Sequence, residues 1–345
     1  MNKIILSLVI PSHNSSSTIA NLLNSINNSH FRSFKQIEVI IVDDLSTDNT
    51  VRIISNLIPE LKFTIVVIKS KSKIGPAKAR NIGVSKANGK YILFLDSDVV
   101  LYINTLKIAY NIAQKGEIKA FTGIWNYKQH THKFFPQFKA LRDWSYWQLE
   151  RKQNYRYYLF STRIAGIEKK LFNTIGRFNE DYPEPTVEDI ELTYKIEKVA
   201  PIKFVPTLEV KHEFEDFLPI AIKYFKRTRD WTNLYLKRYR FDPVATTKRE
   251  ASKPMVLNIF FLSLTIFLVF HLNILGFLSI IFFCLYLILE LRFLIFLTQK
   301  KGIVFALQSI PVAILLYIII EFGALYGFVS YYFHLRKPRG FMRVS

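Results

Sequence analysis

The chain has 345 residues, 50% of them hydrophobic, a formal net charge of +20 and one cysteine. That cysteine, Cys284, sits in an apolar run, which excludes a disulfide framework and a cysteine zinc cluster. Lys and Arg are scattered and thicken between Lys223 and Arg240 instead of forming a recognition helix, so the charge suits anionic lipid and argues against nucleic acid.

Apolar and polar segments alternate up to about residue 250, and apolar residues dominate beyond it, so the chain reads as a soluble half followed by a membrane half. The opening MNKIILSLVI is too short, and too soon followed by polar residues, for a secretory signal, which places the soluble half in the cytosol. Ile4 to Ile10 reads as a strand closed by Pro11-Ser12-His13-Asn14, and Ile19, Leu22, Leu23 and Ile26 then fall on one helical face. Glu38 to Val42 is a second strand ending in Asp43-Asp44. A helix carrying Val51, Ile54 and Leu57 follows, with Ser46 or Asp48 as its cap. Phe63 to Ile68 is a third strand. A Gly75-Pro76 break, an Arg80-Asn81-Ile82-Gly83 turn and a turn at Asn88-Gly89 lead to the buried strand Tyr91 to Leu95, which ends in Asp96-Ser97-Asp98.

Strands alternating with helices predict an α/β fold with a doubly wound, mostly parallel sheet, whose polar loops converge at the carboxyl edge. Pro11 to Asn14, Asp43-Asp44 and Asp96 to Asp98 would then line one crevice, with Arg80 close by. Taken singly, a carboxylate after a strand is usually a helix cap and an Asp-Xaa-Asp is usually a solvated turn. Together they present hard oxygen ligands suited to Mg²⁺ or Mn²⁺, which would in turn hold a diphosphate.

Further on, Leu101 to Ile112 reads as an amphipathic helix and Phe121 to Ile124 as a short strand. Trp125, Tyr127, Trp144, Tyr146, Trp147, Tyr155, Tyr157 and Tyr158 crowd the next stretch, which is expected to stack on sugars and to face the membrane, with plain core filling as the competing reading. Glu188-Asp189 opens a helix from Ile190 to Lys198, where acids also serve simply to complement the helix dipole. His212 follows a strand at Ile202 to Val205.

Four segments in order, LVIPSHNSSSTIANLLNSI, EVIIVDDLSTDNT, GPAKARNIGVSKANGKYILFLDSDV and FNTIGRFNEDYPEPTVEDIELTYKI, resemble family 2 glycosyltransferases of the GT-A fold. The resemblance implies that Pro11, His13, Asn14 and Asp44 hold the nucleotide base, with the His13 imidazole standing where an aromatic such as Tyr is usual and still able to stack. It implies Arg80 on the nucleotide or its phosphates, Asp96 near the ribose, Asp98 on the divalent metal and His212 as a further metal or diphosphate ligand. Asp189 would be the base that takes the proton of an acceptor hydroxyl, with Glu188 as helper or acceptor ligand, in one in-line displacement with inversion. Two positions depart from the family pattern: Leu45 replaces a small residue, with tighter packing expected, and Arg177 replaces the second glycine of a Gly-Gly-Phe segment near the acceptor side.

Phe217 to Tyr239 reads as a basic amphipathic helix lying in the membrane interface. Asp230 separates Arg229 from Trp231, so no Gln-Xaa-Xaa-Arg-Trp motif is present and single addition is expected over polymerisation. Met255 to Leu289 carries no charged residue and reads as a helical pair turning near Asn273 to Gly276. Gly302 to Phe333, with Pro311 and the lone charge Glu321, is a third span. Three full spans would put the basic end His334 to Arg339 outside, against the positive-inside tendency, which a re-entrant first pair or an even span count would repair.

The expected division is 1–215 for the transferase, 216–250 for the interfacial segment and 251–345 for the membrane domain. Its expected function is transfer of one sugar from a UDP-, GDP- or dTDP-linked donor to a hydroxyl of a lipid-linked or cell-surface glycan, by a multi-pass membrane protein with a cytoplasmic catalytic domain. The alternatives are a polyprenyl-phosphate glycosyl synthase, whose acceptor is already an anion, and a non-catalytic membrane scaffold.

Overall fold

The structure is a computed structural model that describes residues 3–147, 158–238 and 247–335, without the side chains of 334 and 335. The chain divides into two units, Met1–Phe214 and Glu215–Ser345. In the first, the strands are β1 Leu6–Ser12, β2 Ile37–Asp43, β3 Thr64–Lys69, β4 Tyr91–Leu95, β5 Val99–Leu101, β6 Ala120–Trp125, β7 Ile164–Glu168 and β8 Ile202–His212. The helices are α1 Ile19–Asn27, α2 Thr50–Leu57, α3 Gly75–Lys86, α4 Thr105–Lys115, α5 Phe134–Ser145, α6 Lys169–Thr174 and α7 Glu188–Glu197.

The strands form one sheet in the order β3-β2-β1-β4-β7-β6-β8-β5. From β3 to β4 every pairing is parallel, while β7 runs antiparallel to both neighbours and β5 antiparallel to β8. Every residue of β2 and β4 is buried, as expected of strands covered on both faces. Alternation along β1 and β2 sends Leu6, Leu8, Ile10, Val39 and Ile41 to one core, and Val9, Ile40 and Val42 to the other. The expected mostly parallel α/β sheet is therefore the observed architecture.

Four local readings change. Gly75 to Lys86 is one continuous helix, not a break and a turn. Pro76 lies in its first turn, where a missing N–H costs nothing, and Gly83 is there because a Cβ would come within 2.4 Å of Val9 Cγ1 on β1. Residues from Val99 to Leu101 form a strand, and the helix begins only at Thr105. β8 runs on to His212, absorbing Pro206 at an irregularity in its pairing with β6. The aromatic stretch is largely core: Trp125, Trp147 and Tyr158 are 3%, 6% and 3% exposed, so burial and not a membrane face accounts for them. Tyr127, Trp144 and Tyr146 are partly buried, and Tyr155 and Tyr157 lie outside the described residues.

The second unit contains α8 Phe217–Arg238, α9 Lys248–Phe270, α10 Asn273–Lys301 and α11 Ile303–Leu335. Three of its helices, Lys248–Phe270, Asn273–Lys301 and Ile303–Phe333, are long and apolar enough to cross a membrane. The turn between the first two falls at His271-Leu272, just before the expected place. A Cβ at Gly323 would meet Phe225 O at 2.6 Å, and one at Gly327 would meet Arg229 O at 2.6 Å. These two glycines, four residues apart, let the α8 and α11 backbones touch. Three of the charges inside the apolar helices are gathered in one place, where buried Lys253 lies 3.2 Å from Glu290 and the Tyr317 hydroxyl lies 3.0 Å from Glu290 and 3.1 Å from Glu250. Tyr239 and Arg240, and the basic end from Arg336 to Arg339, lie outside the described residues.

Candidate active site

α3 is the piece that brings the polar loops together. Its start is held by Asp44, whose two carboxylate oxygens accept from the backbone N–H groups of Ile74 (2.6 Å) and Gly75 (2.9 Å). Gly75 has φ +79°, and a Cβ there would meet Pro183 O at 2.7 Å, so the proline-rich loop lies directly on the helix start. One turn on, Arg80 Nη2 donates to Asp96 at 2.7 Å and Nη1 to Glu188 at 3.2 Å. Asn81 grips the next loop from both sides, donating to Phe178 O (3.0 Å) and Glu180 (2.9 Å) and accepting from Phe178 N (3.2 Å). The Arg-Asn-Xaa-Gly segment is thus a strut, a clamp and a close-packing glycine on successive faces of one helix.

The Arg80 guanidinium is buried, with its ring-face neighbour Phe178 at 5.6 Å. Burial alone would lower its pKa. The charges of Asp96, Glu188 and, less strongly, Asp189 outweigh that and raise it. Only its Nε lacks a hydrogen-bond partner among the described residues, so the guanidinium is chiefly a bridge between the two acidic motifs. Glu188 is equally committed, since its second oxygen accepts from Thr186 N at 2.9 Å. Asp189, at the start of α7, is only partly buried, and its Oδ1 accepts from Ile190 N at 2.8 Å.

At the end of β4, Ser97 Oγ meets Ser15 Oγ at 2.8 Å, tying this loop to the one after β1. Asp98 precedes β5, and because Val99 pairs with His212 the last residue of β8 comes alongside: His212 Nε2 is 3.5 Å from Asp98 Oδ2. Desolvation opposes ionisation of Asp98, although its side chain is half exposed, and the hydrogen bond and charge of His212 and the charge of Arg163 prevail and hold its pKa at about 2. Among the described residues no three His, Cys, Asp or Glu side chains converge as a complete protein cage. A carboxylate and an imidazole alone fit an ion of the Mg²⁺ or Mn²⁺ kind, which ordinarily completes its shell with phosphate oxygens and water.

In the loop after β1, His13 is exposed and its Nδ1 donates to the Asp44 carbonyl at 2.7 Å. Asn14, at φ 49°, accepts from Thr47 N at 2.8 Å, and its own N–H donates to Ser46 Oγ at 2.9 Å, so the loops after β1 and β2 are laced together beyond Pro11. The N-cap of α2 is Asn49 and not Ser46 or Asp48, but Asp48 accepts from Thr50 N at the helix start and from Ser16 N, and the hydrogen bonds from Thr50 and Ser16 hold its carboxyl well below the usual range. Leu45 does not tighten packing as expected. It is 44% exposed at φ 58°, a left-handed conformation that costs a branched residue about 1–2 kcal/mol. Arg177 likewise stands at φ 56°, a conformation that glycine adopts without steric cost.

Sequence reasoning missed Arg163. β7 pairs antiparallel to β4 with Ile164 opposite Leu95, which sets Arg163 level with the start of Asp96-Ser97-Asp98. Nothing in the local pattern of Thr162-Arg163-Ile164 marks it, because only the strand pairing brings it there.

The Glycosyl transferase family 2 model matches residues 7–175. Poly(ribitol-phosphate) beta-N-acetylglucosaminyltransferase TarS of Staphylococcus aureus is 37% identical over 103 residues, 30% of this chain and 18% of that protein. GalNAc(5)-diNAcBac-PP-undecaprenol beta-1,3-glucosyltransferase of Campylobacter jejuni is 26% identical over 182 residues, 51% of this chain and 55% of that protein. The chain therefore spans less than two thirds of the length of these curated relatives. Among solved structures, mannosyltransferase PcManGT from Pyrobaculum calidifontis, in complex with GDP-Man and Mn2+, aligns at a TM-score of 0.58 and 14% identity, over 94% of this chain and 87% of that one, a likeness of fold. With the parallel sheet, the paired acidic motifs and the matched family model in agreement, the chain carries a Glycosyl transferase family 2 domain on a GT-A-like fold.

Proposed function

We propose that the protein is a membrane-anchored, inverting glycosyltransferase. It moves one sugar from a nucleoside-diphosphate donor to a hydroxyl of a lipid-linked or cell-surface glycan at the cytoplasmic face of the membrane. Residues 1–215 form the catalytic domain, 216–250 a basic interfacial segment and 251–345 a multi-pass membrane domain. The observation that supports this is Arg80, which ties Asp96, two residues before Asp98, to Glu188, the neighbour of Asp189. The poly(ribitol-phosphate) and undecaprenol-linked substrates in the relatives' names support the acceptor class.

Within that reading Asp189 takes the proton of the attacking hydroxyl, a contribution of about 10²–10⁴ to the rate. Glu188, with both oxygens engaged, is a positioning residue. His13, Asn14 and Asp44, with Pro11 behind them, receive the base, and Asp96 lies towards the ribose. Asp98 and His212 would hold a divalent ion, which would supply positive charge to the leaving diphosphate. A polyprenyl-phosphate acceptor would not need a base at Asp189, which is why a hydroxyl acceptor is preferred.

Calorimetry with UDP-, GDP- and dTDP-sugars tests this reading against a non-catalytic scaffold. One base should bind, and chelating the metal should weaken it at least about tenfold, since an ion held by Asp98 and His212 would supply positive charge to the diphosphate. Absence of metal-dependent binding to all three would favour the scaffold.

A further inference from the structure

Arg163 occupies an unusual position for an unpaired cation. Its guanidinium lies over the Trp125 ring at 4.6 Å and over the Phe214 ring at 5.6 Å, and among the described residues it makes no hydrogen bond or ion pair. Cation–π contact uses the faces of the guanidinium plane and leaves the N–H groups at its edge available. Phe214 in turn packs edge-on to His212 at 4.7 Å, and His212 stands 3.5 Å from Asp98, so the cation sits one ring away from the candidate metal pair.

Two more polar atoms in this cluster lack partners among the described residues. Trp125 is 3% exposed, yet its Nε1–H donates to nothing, and His212 Nδ1 is likewise buried without a hydrogen bond. A buried donor left unmade costs about 1–3 kcal/mol, so native proteins rarely leave several together unless a ligand or ordered water completes them. Lys139 is buried, with its ammonium 5.0 Å from the Phe214 ring centre, and is ion-paired with Asp143.

We propose that Arg163, with Trp125 Nε1 beside it, forms a phosphate-binding subsite adjoining the Asp98–His212 pair. This rests on the transferase reading above and assigns a residue and ligand chemistry to it. A planar fork held by aromatic faces matches two oxygens of a phosphate group, where lysine would offer a point charge only. That phosphate belongs either to the leaving diphosphate of the donor or to the acceptor.

The test uses the full chain in detergent, with Arg163→Gln and Arg163→Lys, and two probes free of any base: inorganic pyrophosphate with Mn²⁺, and farnesyl phosphate. Unchanged thermal unfolding in both variants separates ligand binding from folding. Pyrophosphate binding that falls about 10- to 100-fold in Arg163→Gln, and less in Arg163→Lys, places the donor diphosphate on Arg163. The same loss for farnesyl phosphate alone places the acceptor phosphate there. Wild-type binding of either probe that survives unchanged in both variants overturns the Arg163 assignment and leaves the transferase reading standing. Wild type that binds neither probe overturns the assignment, and the nucleotide-sugar calorimetry then shows separately whether the transferase reading falls with it.

Discussion

Asp189→Asn should lower sugar transfer by about 10²–10⁴-fold while leaving donor affinity within about twofold, because a general base acts only as the proton moves. Asn is the informative replacement. Its side-chain oxygen still accepts from Ile190 N, as Asp189 does at 2.8 Å, so the start of α7 keeps its geometry while the proton acceptor is lost. The loss should fall on kcat and on kcat/KM alike, measured with steady-state transfer beside calorimetric donor binding. Transfer that proceeds unimpaired points to an acceptor that is already ionised, and so to the polyprenyl-phosphate alternative.

Arg80→Met should destabilise the first unit by about 3–5 kcal/mol, the usual cost of leaving a buried carboxylate without its partner. Glu188 is the carboxylate in question. It is 4% exposed and cannot turn to solvent, whereas the Asp96 side chain is 29% exposed and can be hydrated. Removing both charges in Arg80→Met with Glu188→Met should therefore recover much of the loss, since an apolar pair in place of a buried ion pair is often neutral. At about 2–4 °C per kcal/mol for a unit of this size, the single variant should melt roughly 10 °C early and the double variant much less. Equal losses in the two would mean that Arg80 stabilises through packing on Phe178 and not by joining the acidic motifs.

The parallel half of the sheet was legible from the chain alone, because β1, β2 and β4 are continuous apolar runs that end abruptly in polar residues. The convergence of those polar ends follows from the parallel arrangement, so the neighbourhood of Asp44, Asp96 and Asp98 could be read as well. α3 could not: Gly75, Pro76 and Gly83 are helix-breaking letters in isolation, yet Pro76 is tolerated in the first turn and the two glycines are required by close neighbours across the fold. β5 and β7 were missed because three and five residues carry no usable period, and with them went Arg163 and the pairing that brings His212 to Asp98. The aromatic stretch misled for a different reason, since rings that fill a core and rings that face lipid look alike in sequence. Leu45 shows the same limit at the backbone level, where a positive φ is invisible until the turn is seen.

The most direct measurement is a structure of the full chain with an intact donor analogue and Mn²⁺ bound. The expected result is a diphosphate beside Asp98 and His212, with the anomeric carbon turned towards the Asp189 carboxylate across open space for a hydroxyl. A sugar ring on the far side of α3, or one whose anomeric carbon is shielded from Asp189, is incompatible with a single displacement at this site.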